Sequence, residues 1–543
     1  MASSGGVPRF SALSFTISAM LRDRLFADPD GVFLHDAILA SCRRQGDKIA
    51  IVDTSCGRRV SYAEYGGLVE SLARGFVAAG LAPGEIVAIF LTNSWEYCAA
   101  YHAATLAGGI PTLMNPTYRE REVRFQLENS GAVFLVTDAP FIKDIKLDGL
   151  PNLRRVYTTR QDTPGTEAFQ KLLHPTTAAL PQASASSAET VAALPYSSGT
   201  TGLPKGVMLS HRNLVANVYQ LLGPHAAPLA PDDRMLCFLP LYHIYGLNVA
   251  LNPALTLGAT LVLMPRFNAA NLLSLLPQEK ITMMPLVPPV INALCQAAEQ
   301  GQFPRDHQVR WVKSGAAPLA AELARRFTTL TGIPVNQGYG MTEASPVTHV
   351  GHISPPGMNR PTSIGQPLAQ TDCRVVDENQ NEVAPGEPGE LVMRGPQFML
   401  GYWKEPQATA AVLRDGWYWS GDIVNTDADN FFYVLDRRKE MIKYKGFPVA
   451  PAEVEAVLLE HPAVRDCGVV AKPDMAAGEV PCAFVVLRDE FAASELLKSE
   501  LCGFVADRLT HYKQPRQVNF VDAVPRTPSG KILRRELRKV VTS

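Results

Sequence analysis

The segment Tyr196-Ser-Ser-Gly-Thr-Thr-Gly-Leu-Pro-Lys205-Gly206 follows the apolar run Val191 to Pro195 and combines glycines, hydroxyl side chains and a lysine. Glycine lets a backbone turn tightly and present its amides, hydroxyls add donors, and the lysine adds a positive charge. This composition suits a polyphosphate, although many Ser/Gly clusters are flexible surface loops. The usual Gly-Lys-Ser/Thr ending of a P-loop is missing, which indicates a different nucleotide chemistry.

Length and charge limit the possible functions. The chain has 543 residues, which at about 150 residues per domain leaves room for two to four domains. Hydrophobic residues make up 46% of it, as in a packed globular protein. Lys+Arg 51 against Asp+Glu 52 give a formal charge of -1, so neither nucleic acid nor an anionic membrane is favoured as a partner. We expect small-molecule ligands.

The nine cysteines are scattered and never form C-x-x-C, which predicts neither a disulfide framework nor a zinc ribbon. The segment Met1 to Asp28 carries Arg9, Arg22 and Arg24 and has no long apolar region, unlike a signal peptide. No segment is long and apolar enough to span a bilayer. A reducing, cytoplasmic setting is expected.

The pattern of apolar and polar residues along the chain predicts α/β layers followed by a β-rich part and a compact C-terminal unit. Runs such as Ile86 to Phe90 and Ala132 to Val136 alternate with amphipathic stretches such as Tyr62 to Ala79. From Cys373 onward the strand-like runs are separated by Gly/Pro turns, which indicates a barrel-like sheet. The charged stretch Asp436-Arg-Arg-Lys-Glu440 then interrupts the apolar texture. We predict an N-terminal unit over residues 1–437 and a C-terminal unit over 438–543.

Further motifs follow the opening loop at wide spacing. They are Leu239-Pro-Leu-Tyr-His243-Ile-Tyr245-Gly-Leu-Asn248, Lys313-Ser-Gly-Ala-Ala-Pro318, Gln337-Gly-Tyr-Gly-Met-Thr342-Glu343, Gly416-Trp-Tyr-Trp-Ser-Gly-Asp422, Asp436-Arg437-Arg-Lys439-Glu-Met-Ile-Lys443-Tyr-Lys445-Gly446 and Pro528-Ser-Gly-Lys531-Ile-Leu. Together with that loop they resemble the motif series of the adenylate-forming superfamily, which includes acyl- and aryl-CoA synthetases, beetle luciferases and nonribosomal peptide synthetase adenylation domains. The resemblance runs from about Lys48 onward. It implies an α/β fold with stacked α/β subdomains, a β-rich subdomain and a small mobile α+β C-terminal domain.

The resemblance implies a two-step reaction. A carboxylate resists nucleophiles, so it is first joined to AMP as an acyl-adenylate with loss of pyrophosphate, and the acyl group then passes to coenzyme A. ATP, Mg²⁺ and coenzyme A are the implied cofactors. By the same resemblance the nucleotide is bound by the opening loop, by the Gly-Tyr-Gly-Met-Thr segment and by the ribose-binding pair, that is by Ser197, Ser198, Gly199, Thr200, Thr201, Lys205, Gln337, Gly338, Tyr339, Gly340, Thr342, Asp422 and Arg437.

Charged residues carry the remaining implied roles. Glu343 matches the Mg²⁺-holding glutamate, as a hard cation that bridges ATP oxygens requires. Lys531 matches a loop lysine that stabilises the charge growing in the adenylation transition state. Lys439 matches the hinge about which the small domain rotates. The resemblance also implies that Lys445 and Gly446 line the CoA tunnel. In addition to Lys531, Lys443 and His243 are candidate catalytic residues.

The acyl pocket resembles that of 4-coumarate–CoA ligases. In that group the histidine matching His243 borders the carboxylate and the tyrosine matching Tyr245 lines the aryl pocket. Small residues leave a flat slot for a planar ring. We therefore expect an aromatic acid of the benzoate or cinnamate type, in contact with His243, Tyr245, Lys313, Gly315, Ala316, Gly338, Gly340 and Met341. The same small residues could open a tunnel for a fatty acyl chain.

Alternatives to a free-standing CoA ligase stay open. A carrier-protein pantetheine is chemically equivalent to CoA in the tunnel, and oxygenation of a luciferase kind leaves the same motifs. A non-catalytic binding relative would have little need for Lys531. One departure from the 4-coumarate group is Pro448, where those enzymes often have glutamine, so any role of that glutamine is in doubt here.

Overall fold

A computed structural model describes residues 32–161, 163–181, 187–197, 204–223, 229–352, 360–437, 440–444, 447–474, 477–527 and 530–542. Within these ranges the helices of the N-terminal part are Leu34–Gln45, Tyr62–Ala78, Trp95–Leu106, Glu120–Ser130, Ala139–Ile142, His211–Leu222, Asn252–Leu257, Ala269–Gln278, Pro288–Glu299, Ala321–Thr331 and Pro406–Val412. Those of the C-terminal part are Pro451–Leu458, Glu495–Ala506 and Arg534–Thr542. Short 3₁₀ segments cover Phe169–Leu173, Thr342–Ala344 and His511–Lys513, and Gly246–Leu251 is π-helical.

Two large sheets form the body of the N-terminal part. The nine-stranded sheet has the spatial order Gln366–Pro367, Val347–Val350, Val335–Gly340, Trp311–Ser314, Met283–Leu286, Arg234–Cys237, Thr260–Leu263, Ile49–Asp53 and Arg58–Ser61. The eight-stranded sheet has the order Gly401–Tyr402, Lys205–Ser210, Val191–Ser197, Ile110–Leu113, Ile86–Phe90, Phe134–Thr137, Arg155–Thr158 and Glu167–Ala168. Their central strands are parallel and buried on both faces, which explains their uninterrupted apolar sequences.

Two smaller sheets complete the fold. The first contains Asp372–Val376, Gly389–Arg394, Trp417–Thr426, Leu413–Arg414 and Phe432–Arg437, all in antiparallel pairs. The second, in the C-terminal part, contains Phe447–Val449, Ile442–Tyr444, Gly478–Leu487, Val464–Asp474 and Gln517–Phe520. The α/β class with a β-rich subdomain and an α+β terminal unit is confirmed.

The apolar cores follow this division. One cluster of buried side chains runs from Leu34 to Phe432 and joins both large sheets to the first small sheet. The C-terminal part has a separate cluster, which runs from Ile442 to Val518. No helix in the described ranges is both long and apolar enough to cross a membrane.

One strand reaches into the charged stretch that begins at Asp436. The strand Phe432–Arg437 continues through Asp436 to Arg437. Two charged residues can extend a strand when both find partners, and each of them does. This extension places Arg437 in the site described next.

Candidate active site

Asp422 and Arg437 form the first element of the site because they lie opposite each other on adjacent antiparallel strands. The Arg437 Nε lies 3.2 Å from Asp422 Oδ1. The hydroxyl of Tyr339 donates a hydrogen bond to Asp422 Oδ2. Burial and the Asp422 carboxylate raise the pKa of Tyr339 far above its ordinary value, so the phenol stays protonated. Each carboxylate oxygen keeps a lone pair for a further donor.

The opening loop joins two antiparallel strands, with Ser197 paired to Lys205 across the hairpin. A P-loop instead leads from a strand into a helix, so the missing P-loop ending agrees with this topology. Ser198, Gly199, Thr200 and Thr201 lie outside the described residues.

Glu343 lies at the base of that hairpin, on the 3₁₀ segment that follows the Tyr339 strand. Its Oε1 accepts hydrogen bonds from the hydroxyls of Tyr402 at 2.8 Å and Ser197 at 3.4 Å. The Lys205 Nζ lies 5.4 Å from the centroid of the Tyr402 ring. The hairpin lysine and the buried carboxylate are therefore neighbours, as binding of a metal–polyphosphate complex requires.

The donor set at Glu343 fits Mg²⁺. Its Oε2 makes no hydrogen bond to a described residue, and the described ranges contain no group of three His, Cys, Asp or Glu side chains that could hold a metal by themselves. Mg²⁺ typically takes one or two protein carboxylates and fills its other positions with phosphate oxygens and water. A single buried glutamate beside the phosphate hairpin meets that requirement.

Lys531 comes from the C-terminal part. A turn with hydrogen bonds from Gly530 N to Thr527 O and from Thr527 N to Lys531 O presents it, both at 2.8 Å. Burial, followed by the charge of Arg437, lowers the pKa of Lys531 to about 8. The neighbouring Gly530 packs closely against the start of the helix Pro288–Glu299. A Cβ on Gly530 would lie 3.2 Å from Pro289. The lysine is thus held next to the Asp422–Arg437 pair.

His243 and Tyr245 form one wall of the predicted acyl pocket. His243 Nδ1 accepts a hydrogen bond from Tyr245 N at 3.2 Å, which leaves Nε2 as the protonated nitrogen of the neutral ring. Burial lowers the pKa of His243 to about 4, so the ring is neutral near pH 7. The Tyr245 hydroxyl lies 3.1 Å from Lys313 O and 3.2 Å from Leu286 O, which fixes the ring. A Cβ on Gly315 would lie 2.9 Å from that ring.

Lys313 lies next to Tyr245, whose hydroxyl contacts its carbonyl oxygen. It is buried, and burial lowers its pKa to about 8. Among the described residues no carboxylate pairs with it, and its Nζ lies 5.9 Å from the centroid of the Trp311 ring. Gly338 faces its aliphatic chain, with 3.8 Å from a Cβ placed there to Lys313 Cδ. Ala316 has φ 67, a left-handed conformation that is uncommon for alanine.

Gln337 makes two hydrogen bonds with its side chain. The side chain accepts a hydrogen bond from Leu319 N at 3.0 Å and donates one to Pro361 O. The amide therefore braces two loops next to the strand that carries Tyr339.

The contacts given above join described candidates in three groups, around Asp422, around Glu343 and around Tyr245, which the strand Val335–Gly340 and the segment after it link. Lys443 is exposed on the strand Ile442–Tyr444 of the C-terminal sheet. Lys439, Lys445 and Gly446 lie outside the described residues. Tyr402, which holds Glu343, has no motif signal in the sequence, because its role depends on the strand pairing of Gly401–Tyr402 with Lys205–Ser210.

Side chains suited to binding a nucleotide lie where the N-terminal and C-terminal parts of the chain meet. This arrangement is typical of one family of proteins, and comparison with known proteins identifies that family. The model of the AMP-binding enzyme family matches residues 38–403, and that of the AMP-binding enzyme C-terminal domain matches residues 453–531. The chain belongs to the AMP-binding enzymes, as its motifs predicted. It is an acid–thiol ligase of the AMP-forming kind, which uses ATP, Mg²⁺ and coenzyme A.

Similar curated proteins are the 4-coumarate–CoA ligase 5 of Oryza sativa subsp. japonica, 37% identical with coverage of 96% of this chain and 97% of the relative, and the 4-coumarate–CoA ligase of Pinus taeda, 38% identical with 94% and 95% coverage. Among solved structures, the anthranilate CoA ligase AuaEII in complex with anthranoyl-AMP has a TM-score of 0.86 at 27% identity, covering 94% of this chain and 97% of its own. The benzoate CoA ligase of Burkholderia xenovorans LB400 has a TM-score of 0.84 at 26% identity, with 93% and 100% coverage.

Proposed function

We propose that the protein activates an aromatic carboxylic acid with ATP to an acyl-adenylate and then transfers the acyl group to coenzyme A. The observation that carries this proposal is the position of Lys531, a lysine of the C-terminal part within electrostatic range of Arg437 and Asp422 of the N-terminal part. A nucleotide-binding module without chemistry has no need of a half-buried lysine at that position.

The residues of the N-terminal part hold the nucleotide in this proposal. Asp422 accepts hydrogen bonds from the ribose hydroxyls while Arg437 and Tyr339 fix its orientation. The tyrosine ring lies along the adenine. Lys205, Ser197 and the hairpin hold the β- and γ-phosphates, and Thr342 contacts the α-phosphate. Glu343 holds Mg²⁺, which neutralises charge on the phosphate oxygens when bound.

Lys531 acts in the first step. The acid's oxygen attacks the α-phosphorus, the bond to the β-phosphate oxygen breaks, and pyrophosphate leaves. Charge grows on the α-phosphate oxygens in the transition state, and a desolvated ammonium group stabilises it more strongly than a solvated one. Since Gly530 is seated on Pro289, the lysine is placed before the substrate binds.

His243 and Tyr245 select and orient the acid. The neutral His243 ring presents Nε2–H as a donor to the carboxylate without adding a full charge that would hold the ground state too tightly. The fixed Tyr245 ring gives a planar acid an aromatic face. The similarity to 4-coumarate, benzoate and anthranilate ligases supports an aromatic acid over a fatty acid.

The second step uses a different arrangement. The C-terminal domain, from residue 438, rotates about Lys439, removes Lys531 and brings Lys445, Gly446 and Lys443 towards the acyl-adenylate. Pro448 lies on an edge strand, where its missing N–H breaks no internal ladder. Free coenzyme A is the proposed acceptor, and a carrier protein is the alternative. All nine cysteines are free thiols, which supports a reducing, cytoplasmic setting.

The decisive experiment follows pyrophosphate release in the presence of MgATP and a panel of benzoates, cinnamates and fatty acids. We expect acid-dependent pyrophosphate without coenzyme A, and AMP with a thioester once coenzyme A is added. Lys531→Ala should abolish the first reaction, whereas Lys498→Ala, at a distant lysine, should not. Failure of every acid to give AMP and a thioester would refute the proposal, and turnover with fatty acids alone would refute its aromatic part.

A further inference from the structure

The first helix of the C-terminal part, Pro451–Leu458, lacks a cap of its own. Its N-cap residue is Ala450, which has no side-chain acceptor, and Pro451 has no N–H. The next amide, Ala452 N, donates its hydrogen bond to Asp436 Oδ2 at 2.9 Å. An N-cap side chain ordinarily accepts from this position, the second residue of the helix. Asp436 therefore supplies the missing cap from outside the helix.

Asp436 belongs to the other side of the predicted hinge. It is the next-to-last residue of the strand Phe432–Arg437, and it pairs with Ile423 in the sheet that carries Asp422. It is only 5% exposed. The hydrogen bond to Ala452 thus joins a strand of the N-terminal part to a helix of the C-terminal part.

Charges around Asp436 favour the same contact. Burial raises the pKa of Asp436, and the charge of Arg534 and the hydrogen bond from Ala452 N oppose that rise by stabilising the carboxylate. Arg534 itself is fixed in the C-terminal part by two hydrogen bonds of 2.8 Å to Glu455. Glu440 in turn pairs with Arg538. The positive end of the helix and Arg534 both attract the Asp436 carboxylate.

This contact belongs to the arrangement that places Lys531 in the site. Arg534 follows Lys531 by three residues, and both move with the C-terminal part. Rotation about the hinge keeps Asp436 in its sheet and carries Ala452 and Arg534 away. The cap therefore contributes free energy to one arrangement and not to the other, and only such a difference can shift the equilibrium between them.

We infer that Asp436 is a positioning residue for adenylation: by capping the helix Pro451–Leu458 across the hinge, it stabilises the arrangement that holds Lys531 beside Arg437 and Asp422. The inference rests on the proposed function, because it assumes two half-reactions performed in two arrangements. Asp436 itself touches no substrate.

The experiment measures the half-reactions separately. Acyl-adenylate formation is followed in single turnover from MgATP and the acid, and thioester formation is followed from supplied acyl-adenylate and coenzyme A. For Asp436→Ala we expect adenylation to fall by about fivefold, the factor that corresponds to a cap worth about 1 kcal/mol. Asp436→Lys should lose more adenylation activity than Asp436→Ala, because the new positive charge faces Arg534. Asp436→Asn keeps an acceptor oxygen and should lose less adenylation activity. Thioester formation should stay within about twofold in all three variants or become faster.

Ser494→Ala is the matched control. Ser494 caps Glu495–Ala506 with a hydrogen bond from Leu497 N at 3.1 Å, entirely inside the C-terminal part. It should lower the melting temperature and leave the ratio of the two half-reactions unchanged. Equal losses in both half-reactions, or unchanged adenylation in Asp436→Ala and Asp436→Lys, would overturn the inference. Acid-dependent pyrophosphate release by the unaltered protein tests the proposed function itself, whereas the variant ratios test only the role of Asp436.

Discussion

Lys531 shows how a side chain acquires its chemistry from its surroundings. A loop lysine is ordinarily solvated and keeps a high pKa, whereas this one is half-buried, and desolvation followed by the charge of Arg437 lowers its pKa to about 8. Because Asp422 pairs with Arg437, part of the opposing positive charge is neutralised. The residue keeps its proton near pH 7 and is poorly solvated, which suits it for binding a growing phosphoryl charge.

The rate of adenylation should therefore decrease at alkaline pH. The ammonium form is present below a pKa of about 8 and is lost as the pH rises through it. We expect kcat/KM for ATP, which reports the free enzyme, to decline above about pH 8. In Lys531→Arg this decline should move to higher pH, because a guanidinium keeps its proton. Lys313 has a similarly lowered pKa, so Lys313→Met is the control and should retain the decline. A decline near pH 8 that survives Lys531→Arg would contradict the assignment.

Tyr245 should matter for the acid and not for the nucleotide. Removing its hydroxyl takes a donor from the carbonyls of Lys313 and Leu286, the second of which keeps Gly315 N as a donor, and frees the ring. We expect Tyr245→Phe to raise KM for an aromatic acid several-fold, as the loss of about 1 kcal/mol predicts, with KM for ATP unchanged. Tyr242→Phe, whose hydroxyl makes no hydrogen bond to a described residue, should change neither. Parallel increases in both KM values for Tyr245→Phe would show a general structural effect.

At the scale of elements, pairing between strands assembles the site. Asp422 and Arg437 face each other by register, and Ser197 and Lys205 do the same across the hairpin. The sequence predicts the strands and the motif residues, because buried runs, turns and glycines are local signals. Register between distant strands is not a local signal. For that reason Tyr402 could not be found from the sequence, although its hydroxyl holds Glu343.

Two glycines of the strand Val335–Gly340 should respond differently to alanine. A Cβ on Gly340 would lie 2.0 Å from Pro346 O, whereas a Cβ on Gly338 would lie 3.6 Å from its nearest atom, His349 O. Gly340→Ala should thus force the backbones apart and destabilise the protein, by about 1 to 3 kcal/mol, with loss of the Glu343 geometry. Gly338→Ala should keep the stability and only raise KM for the acid, since it narrows the slot. Urea unfolding of both variants measures the difference, and equal destabilisation would argue against this strand pairing.

At the scale of the molecule, the two large sheets are interleaved along the chain. Ile49–Asp53 and Arg58–Ser61 belong to the nine-stranded sheet, the chain then builds much of the eight-stranded sheet, and it returns to the first sheet at Arg234. No composition shift marks these crossings, so the sequence predicts the class and not this arrangement. One cluster of buried side chains joins both large sheets, and two further clusters complete the core of the N-terminal part that carries the nucleotide side chains.

The separate core of the C-terminal part leads to a thermal prediction for the whole enzyme. Its buried cluster from Ile442 to Val518 shares no members with the larger one, and contacts such as Asp436 to Ala452 join the two. We expect calorimetry to resolve two unfolding transitions without ligand. By the proposed function a non-reactive acyl-adenylate analogue contacts both Asp422 and Lys531, so we expect it to raise both transitions and bring them together. In Lys531→Ala the analogue should still raise the larger transition but no longer shift the smaller one. A single transition without ligand would mean that the two parts unfold as one unit. An equal shift of that transition by the analogue in the unaltered protein and in Lys531→Ala would mean that Lys531 does not couple the two parts through the ligand.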